Sequence, residues 1–182
     1  MKLLTLCLAI ALLAMIAKTF LFSFRFQSPP DYADTGPHFI LTEHLSGEIL
    51  SEGVIFGPTG KMANSFTAKM VGEWDGRTGT LSEEFTYSNG VTQSRKWFLT
   101  LGPGNTFTAT ADDLVGEAQG IVSGSTVQLQ YEITLPESAG GYTLKATDWL
   151  YLTADGVIMN RAEMRKFGVK VAELVATMRP AP

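Results

Sequence analysis

A chain of 182 residues with 14 Lys and Arg against 18 Asp and Glu is long enough for one domain with its own core. Residues 1–25 hold Lys2, Lys18 and Arg25 and no acid, so the remainder carries 11 basic and 18 acidic groups, a balance of −7. That balance excludes nucleic-acid binding, which needs clustered Lys and Arg, and the lone Cys7 excludes an internal disulfide framework or a Cys-rich metal site.

Leu3 to Phe24 is apolar apart from Lys18 and a few Thr and Ser. It is close to the roughly 20 residues that a transmembrane helix needs, with Lys18 near one end where its amine can snorkel. Leu3 to Ala17 alone has the length of a signal-peptide apolar region, but Met15 then stands where cleavage wants a small residue. An uncleaved signal-anchor is therefore preferred over a cleaved signal peptide, with a buried N-terminal helix as the last choice. Leu6 precedes Cys7 where lipidation wants a small residue. Positive charges at both ends leave the orientation open, and export of the body is preferred. The chain divides into 1–25 (signal-anchor or signal peptide), 26–46 (linker and short cap segment) and 47–182 (β-barrel domain).

Gln27 to Pro37, with its Pro pair, suits an extended spacer, and Phe39 to Leu45 suits a short helical or irregular segment closing one end of the fold. From Gly47 onward, short strands recur at regular spacing. The candidates are 48–56, 61–74, 79–88, 91–101, 105–111, 115–122, 126–135, 142–153, 157–165 and 169–178. Alternation is cleanest where Val127, Leu129, Tyr131, Ile133 and Leu135 interleave with Gln128, Gln130, Glu132 and Thr134. No connection is long enough for a crossover helix, so sequence neighbours pair antiparallel. Closing the strands on themselves removes exposed edges. The predicted fold is all-β: an up-and-down antiparallel barrel of about 8–10 strands, lipocalin-like, preceded by an N-terminal hydrophobic helix and able to enclose one small ligand.

Asp75-Gly76 and Asn89-Gly90 are read as type I′ turns, since both dipeptides tolerate positive φ. A two-residue loop at Asn89-Gly90 sets Glu84 opposite Arg95, Glu83 opposite Lys96 and Ser82 opposite Trp97. A four-residue loop at Thr153 to Gly156 sets Asp148 opposite Arg161. Asp148 then lies on an aliphatic face with Leu144, Leu150 and Leu152, where a buried charge needs a partner. These pairs are either exposed cross-strand ion pairs or lumen groups in which an Arg receives a ligand carboxylate or phosphate. The candidate ligand-binding residues are Arg95, Arg161, Glu84, Asp148, Trp97 and Tyr131.

No P-loop, dinucleotide fingerprint, Gly-x-Ser-x-Gly or His-Glu-x-x-His occurs, and His38 and His44 do not make a persuasive metal pair. No catalytic residue, metal or cofactor is expected.

Several strings resemble a family of uncharacterised proteobacterial envelope proteins, domain-of-unknown-function family 3833, often described as lipoproteins. They include Gly72-Glu-Trp-Asp-Gly-Arg-Thr-Gly-Thr-Leu81, Glu84-Phe-Thr-Tyr-Ser-Asn-Gly90, Arg95-Lys-Trp97, Thr110 to Gly120, Asp148-Trp-Leu-Tyr-Leu152 and Asn160 to Gly168. The resemblance spans roughly Gly47 to Met178 and implies a calycin-like barrel. It also leans towards lipid, because members are often encoded near fatty-acid-modifying enzymes. The chain departs from the lipoprotein members in lacking a lipidation cysteine.

The leading expectation is an envelope-associated, lipocalin-like protein that binds a hydrophobic ligand, a fatty acid or other acyl lipid, without catalysis. It would sit on the periplasmic face of the bacterial envelope, meeting the membrane through its N-terminal segment. A structural or interaction protein with a packed barrel comes second, and a lipid-modifying enzyme third.

Overall fold

The computed structural model describes residues 2–21 and 23–182. Ten strands form one closed antiparallel barrel: β1 (Gly47–Phe56), β2 (Met62–Asp75), β3 (Thr78–Tyr87), β4 (Thr92–Leu101), β5 (Thr106–Thr110), β6 (Ala118–Ser123), β7 (Thr126–Thr134), β8 (Thr143–Leu152), β9 (Ile158–Lys166) and β10 (Val169–Pro180). Each strand pairs with its neighbours in sequence, and β1 closes the ring against β10 from Ile49↔Pro180 to Phe56↔Glu173. The alternation of side chains places one set inside. On β7, Val127, Tyr131 and Ile133 are buried, and they join Phe66, Met70, Leu81, Leu99, Phe107 and Leu144 in one core.

The registers at two hairpins correct the expectation. Ser88-Asn89-Gly90 is a three-residue loop: Tyr87 N–H donates to the Val91 carbonyl at 2.9 Å and Gly90 N–H to the Tyr87 carbonyl at 2.9 Å. Gly90 carries φ +83° and Asn89 does not share it, so the type I′ assignment fails and the glycine forms a bulge instead. Ala154-Asp155-Gly156 closes the same way, with Thr153 N–H on the Val157 carbonyl at 2.9 Å and Gly156 at φ +77°. One residue of loop length shifts each register by one. Glu83 faces Arg95, Glu84 faces Ser94 and Leu81 faces Trp97; Trp149 faces Arg161 and Asp148 faces Ala162. At the third turn Asp75 pairs with Thr78, leaving Gly76 (φ +57°) and Arg77 as the loop, again not type I′. Both central residues take positive φ in Phe167-Gly168 between β9 and β10.

The N-terminal segment forms α1 (Lys2–Leu21). Its apolar side chains Leu3, Leu4, Leu6, Leu8, Ile10, Leu12, Leu13 and Met15 are all exposed. Among the described residues no helix is long and apolar enough to cross a membrane. Phe22, part of the expected span, lies outside the described residues.

Residues 27–37 lie against the outer face of β6–β8 rather than running as an extended spacer. They contain one turn of 3-10 helix at Pro29–Tyr32. Ser123 Oγ donates to the Pro29 carbonyl at 2.5 Å, the Tyr32 and Tyr151 hydroxyls both donate to Gln27 Oε1, and the Tyr32 ring packs on Trp149 at 5.2 Å. Trp149 is thereby buried on the outside of the barrel.

One end of the barrel is closed by α2 (Leu41–His44), as expected for Phe39 to Leu45. Phe39, Leu41 and Leu45 join the core, and Trp74 Nε1 donates to the Leu45 carbonyl at 2.9 Å. Gly72 makes this approach feasible, because a β-carbon there would overlap the Leu45 carbonyl. Gly72→Ala should therefore push α2 off its seat and cost about 1–3 kcal/mol in urea denaturation. Gly57→Ala, whose β-carbon meets only the Lys61 carbonyl at 3.9 Å, should stay within about 0.5 kcal/mol of wild type.

Candidate functional site

The inward faces of β1–β5 and β7–β10, with α2 beneath, line a cavity of about 160 Å³. Its walls are mostly apolar: Phe66, Met70, Leu81, Leu99, Leu129 and Ala162 are typical. Three charged side chains interrupt them, Glu83 on β3, Arg95 on β4 and Asp148 on β8. Trp97 and Tyr131 complete the polar side, ring edge to ring face at 5.4 Å.

Arg95 organises this cluster. Its Nε donates to Asp113 Oδ1 at 3.1 Å, and its guanidinium lies 4.0 Å from the centre of the Trp97 ring, a cation–π contact. Trp97 Nε1 in turn donates to Glu83 Oε2 at 3.2 Å. Tyr131 donates its hydroxyl to Asp148 Oδ2 at 3.1 Å. Among the described residues, two buried atoms of this cluster find no partner at hydrogen-bond distance, Nη2 of Arg95 and Oδ1 of Asp148.

Burial dominates the protonation of the two lumen acids. It pushes Glu83 up to about 7, only partly offset by Arg95 and the Trp97 N–H. It pushes Asp148 up to about 6 against the opposing pull of the Tyr131 hydroxyl and Arg95. For Arg95 the burial penalty is outweighed by Tyr131, Glu83, Asp113 and Asp148, which hold the guanidinium above its ordinary value. Tyr131 is driven well upward by burial and by Asp148.

Of the residues singled out from sequence, Arg95, Trp97, Tyr131 and Asp148 meet in the lumen. Glu84 and Arg161 do not join them. Glu84 faces outward and accepts from Ser94 Oγ at 2.7 Å. Arg161 lies on the outer face, where its Nε donates to Glu173 Oε1 at 2.8 Å and its guanidinium covers the Phe24 ring at 4.9 Å. The proposed partner of Asp148 is thus replaced by Tyr131. Glu83 and Asp113 are the residues that sequence reasoning missed. The signal for Glu83 was present, since it shares the parity of Leu81, Phe85 and Tyr87. Among the described residues no group of three His, Cys, Asp or Glu is placed to hold a metal ion.

Residues 18–180 match the sequence model of DUF3833, described as proteins of unknown function. The chain belongs to this family. Its closed ten-strand antiparallel barrel agrees with the calycin-like barrel that the resemblance implied. The fold is similar to that of Rv2717c from M. tuberculosis, a crystal structure (TM-score 0.55, 15% identity, covering 82% of this chain and 100% of that one). It is also similar to the S-type phycobiliprotein lyase CPES from Guillardia theta (TM-score 0.56, 7% identity, covering 78% and 91%). At such identities the likeness shows the fold alone. No curated protein matches the chain in sequence.

The two raised carboxyl groups give the fold a pH dependence of definite sign. Their native-state values, about 7 and about 6, lie above the ordinary 4.5 and 3.8. The native state thus keeps protons that the unfolded chain has already released, and stability falls as pH rises from about 4 to 7. Glu83 alone contributes a loss on the order of 3 kcal/mol across that window. Thermal unfolding followed from pH 4.5 to 8 should show Tm falling with pH. Glu83→Gln should flatten the slope and raise Tm at pH 8.

Proposed function

We propose that this protein binds a small hydrophobic molecule in the barrel lumen, without catalysing a reaction on it. The observation that carries the reading is a mostly apolar cavity inside the barrel, with a polar cluster at one side and, among the described residues, unpaired buried polar atoms on side chains of its wall. Packing economy would fill such a space and satisfy such atoms if stability were its only purpose. A cavity of about 160 Å³ is close to the engineered lysozyme cavity of about 150 Å³ that takes up benzene. It suits one six-membered ring, or about six carbons of an acyl chain. Within this reading an acyl lipid is the ligand class towards which the DUF3833 resemblance leans. Its chain would fill the apolar part of the lumen, with its polar end at Arg95, Tyr131 and Asp148.

The proposal extends to an envelope location with α1 resting in lipid. What supports it is a helix on which Leu3, Leu4, Leu6, Leu8, Ile10, Leu12, Leu13 and Met15 are all exposed. The full chain should then remain with the membrane pellet after an alkaline carbonate wash, and a chain lacking residues 2–21 should be released.

Native mass spectrometry of the full chain, taken from its host envelope in mild detergent, tests the lumen reading. A discrete 1:1 adduct that extracts into organic solvent is expected. Ala162→Leu, which places a larger side chain in the cavity wall, should weaken uptake at least tenfold while the far-ultraviolet circular dichroism stays unchanged. An apo mass, together with no uptake of any apolar probe of six to eight carbons, would overturn it.

A further inference from the structure

Among the described residues, two buried atoms on lumen-lining side chains are left without partners, and they are of opposite kind. Nη2 of Arg95 can only donate, and Oδ1 of an ionised Asp148 can only accept. Both residues line the same cavity. They flank Tyr131, whose ring lies 5.9 Å from the Arg95 guanidinium carbon and whose hydroxyl holds the other oxygen of Asp148. A third unpartnered atom, Thr80 Oγ1, sits on the outward side of β3 and has no part in the lumen. Leaving a buried donor and a buried acceptor unmade costs more than a hydrogen bond returns, so the free pair has meaning only if something completes it.

Charge narrows the choice. The one guanidinium is already surrounded by three carboxyl groups, those of Glu83, Asp113 and Asp148. A ligand carboxylate or phosphate would be a further acid beside a charge already matched. A cation would meet Arg95 itself.

We infer that the ligand is uncharged and carries, on one polar end, an acceptor for Arg95 Nη2 and a donor for Asp148 Oδ1. A carboxamide, a lactam or a protonated carboxylic acid on an apolar body has this form. The inference rests on the lumen-binding reading and gives it chemical content. It also turns the expected role of Arg95 around: the arginine hydrogen-bonds a neutral head group instead of pairing with an anion.

Four probes of nearly one shape and size test this with the full-length protein at pH 8, by titration calorimetry. Benzamide offers acceptor and donor, acetophenone an acceptor only, benzoate a negative charge, and α-methylstyrene neither. Benzamide should bind about tenfold more tightly than acetophenone, and benzoate should be the weakest of the three polar probes. Asp148→Asn keeps an oxygen for Tyr131 but turns an N–H₂ towards the ligand, so it should abolish the benzamide preference or reverse it. If α-methylstyrene binds but benzamide has no advantage over acetophenone, or benzoate is tightest, this inference is wrong while the lumen reading stands. If none of the four binds, both fall. The wild-type ranking decides the matter even where the variant fails to fold.

Discussion

A single guanidinium inside an otherwise apolar and acidic lumen sets the terms for the rest of this structure. Burying an unpaired charge is among the costliest things a fold can do, and Arg95 is tolerable only with its company in place. Asp113 reaches it at 3.1 Å from the loop between β5 and β6, and Trp97 offers its π face at 4.0 Å. Glu83 and Asp148 add negative charge from opposite walls. Those acids depend on the arginine as well, for without it the burial that lifts them to about 7 and about 6 would go unopposed by any cation lining the cavity. The cluster therefore couples the β3–β4 hairpin with two later sections of the chain, the β5–β6 loop and β8. The barrel supplies the geometry and the ion cluster supplies a reason for that geometry to be unique.

The architecture was legible because a β-meander writes itself locally. Alternation marks the strands, Gly-containing turns mark the breaks, and short connections force antiparallel neighbours. All ten expected strands occur. The error lay in loop length, and it shows which of two signals should prevail. Counting from Asn89-Gly90 as a two-residue loop pairs Leu81 with Phe98 and leaves Trp97 facing Ser82. The side chains themselves argue otherwise: Trp97, Leu99 and Leu101 share one parity, and they match Leu81, Phe85 and Tyr87 only when the loop has three residues. The same holds for Leu150 and Leu152 against Ile158, Ala162 and Met164. A one-residue slip exchanges the two faces of a strand, so burial fixes register more firmly than a turn dipeptide does.

Other features were out of reach for a different reason. Asp113 looks by sequence like half of a turn pair with Asp112, and nothing in its neighbourhood indicates that β4 carries Arg95 past it. Trp149 looks like a core residue, and it is buried, yet it lies on the outer face beneath Tyr32. Residues 27–37 look like a spacer by composition and are held by Gln27, Ser123 and Ser125 through contacts about 90 residues or more apart. Long-range contacts of this kind leave no periodic trace, and no local rule recovers them.

The size of the cavity and the chemistry of its polar side constrain each other. A barrel built to carry whole lipid chains would be expected to hold a volume of several hundred Å³, as ligand sites commonly do. Here about 160 Å³ remains, because Phe66, Phe85, Trp97, Met70 and Met178 fill much of the interior. A ligand that gains so little from apolar contact must draw a larger share of its affinity and selectivity from hydrogen bonds. That is the setting in which two unmade bonds in the wall matter most. A longer chain could enter only by displacing side chains, and the thioethers of Met70 and Met178 are the ones that yield at least cost. On the proposed reading, the lumen therefore recognises a small polar head on a short apolar body and does not serve general storage of lipid.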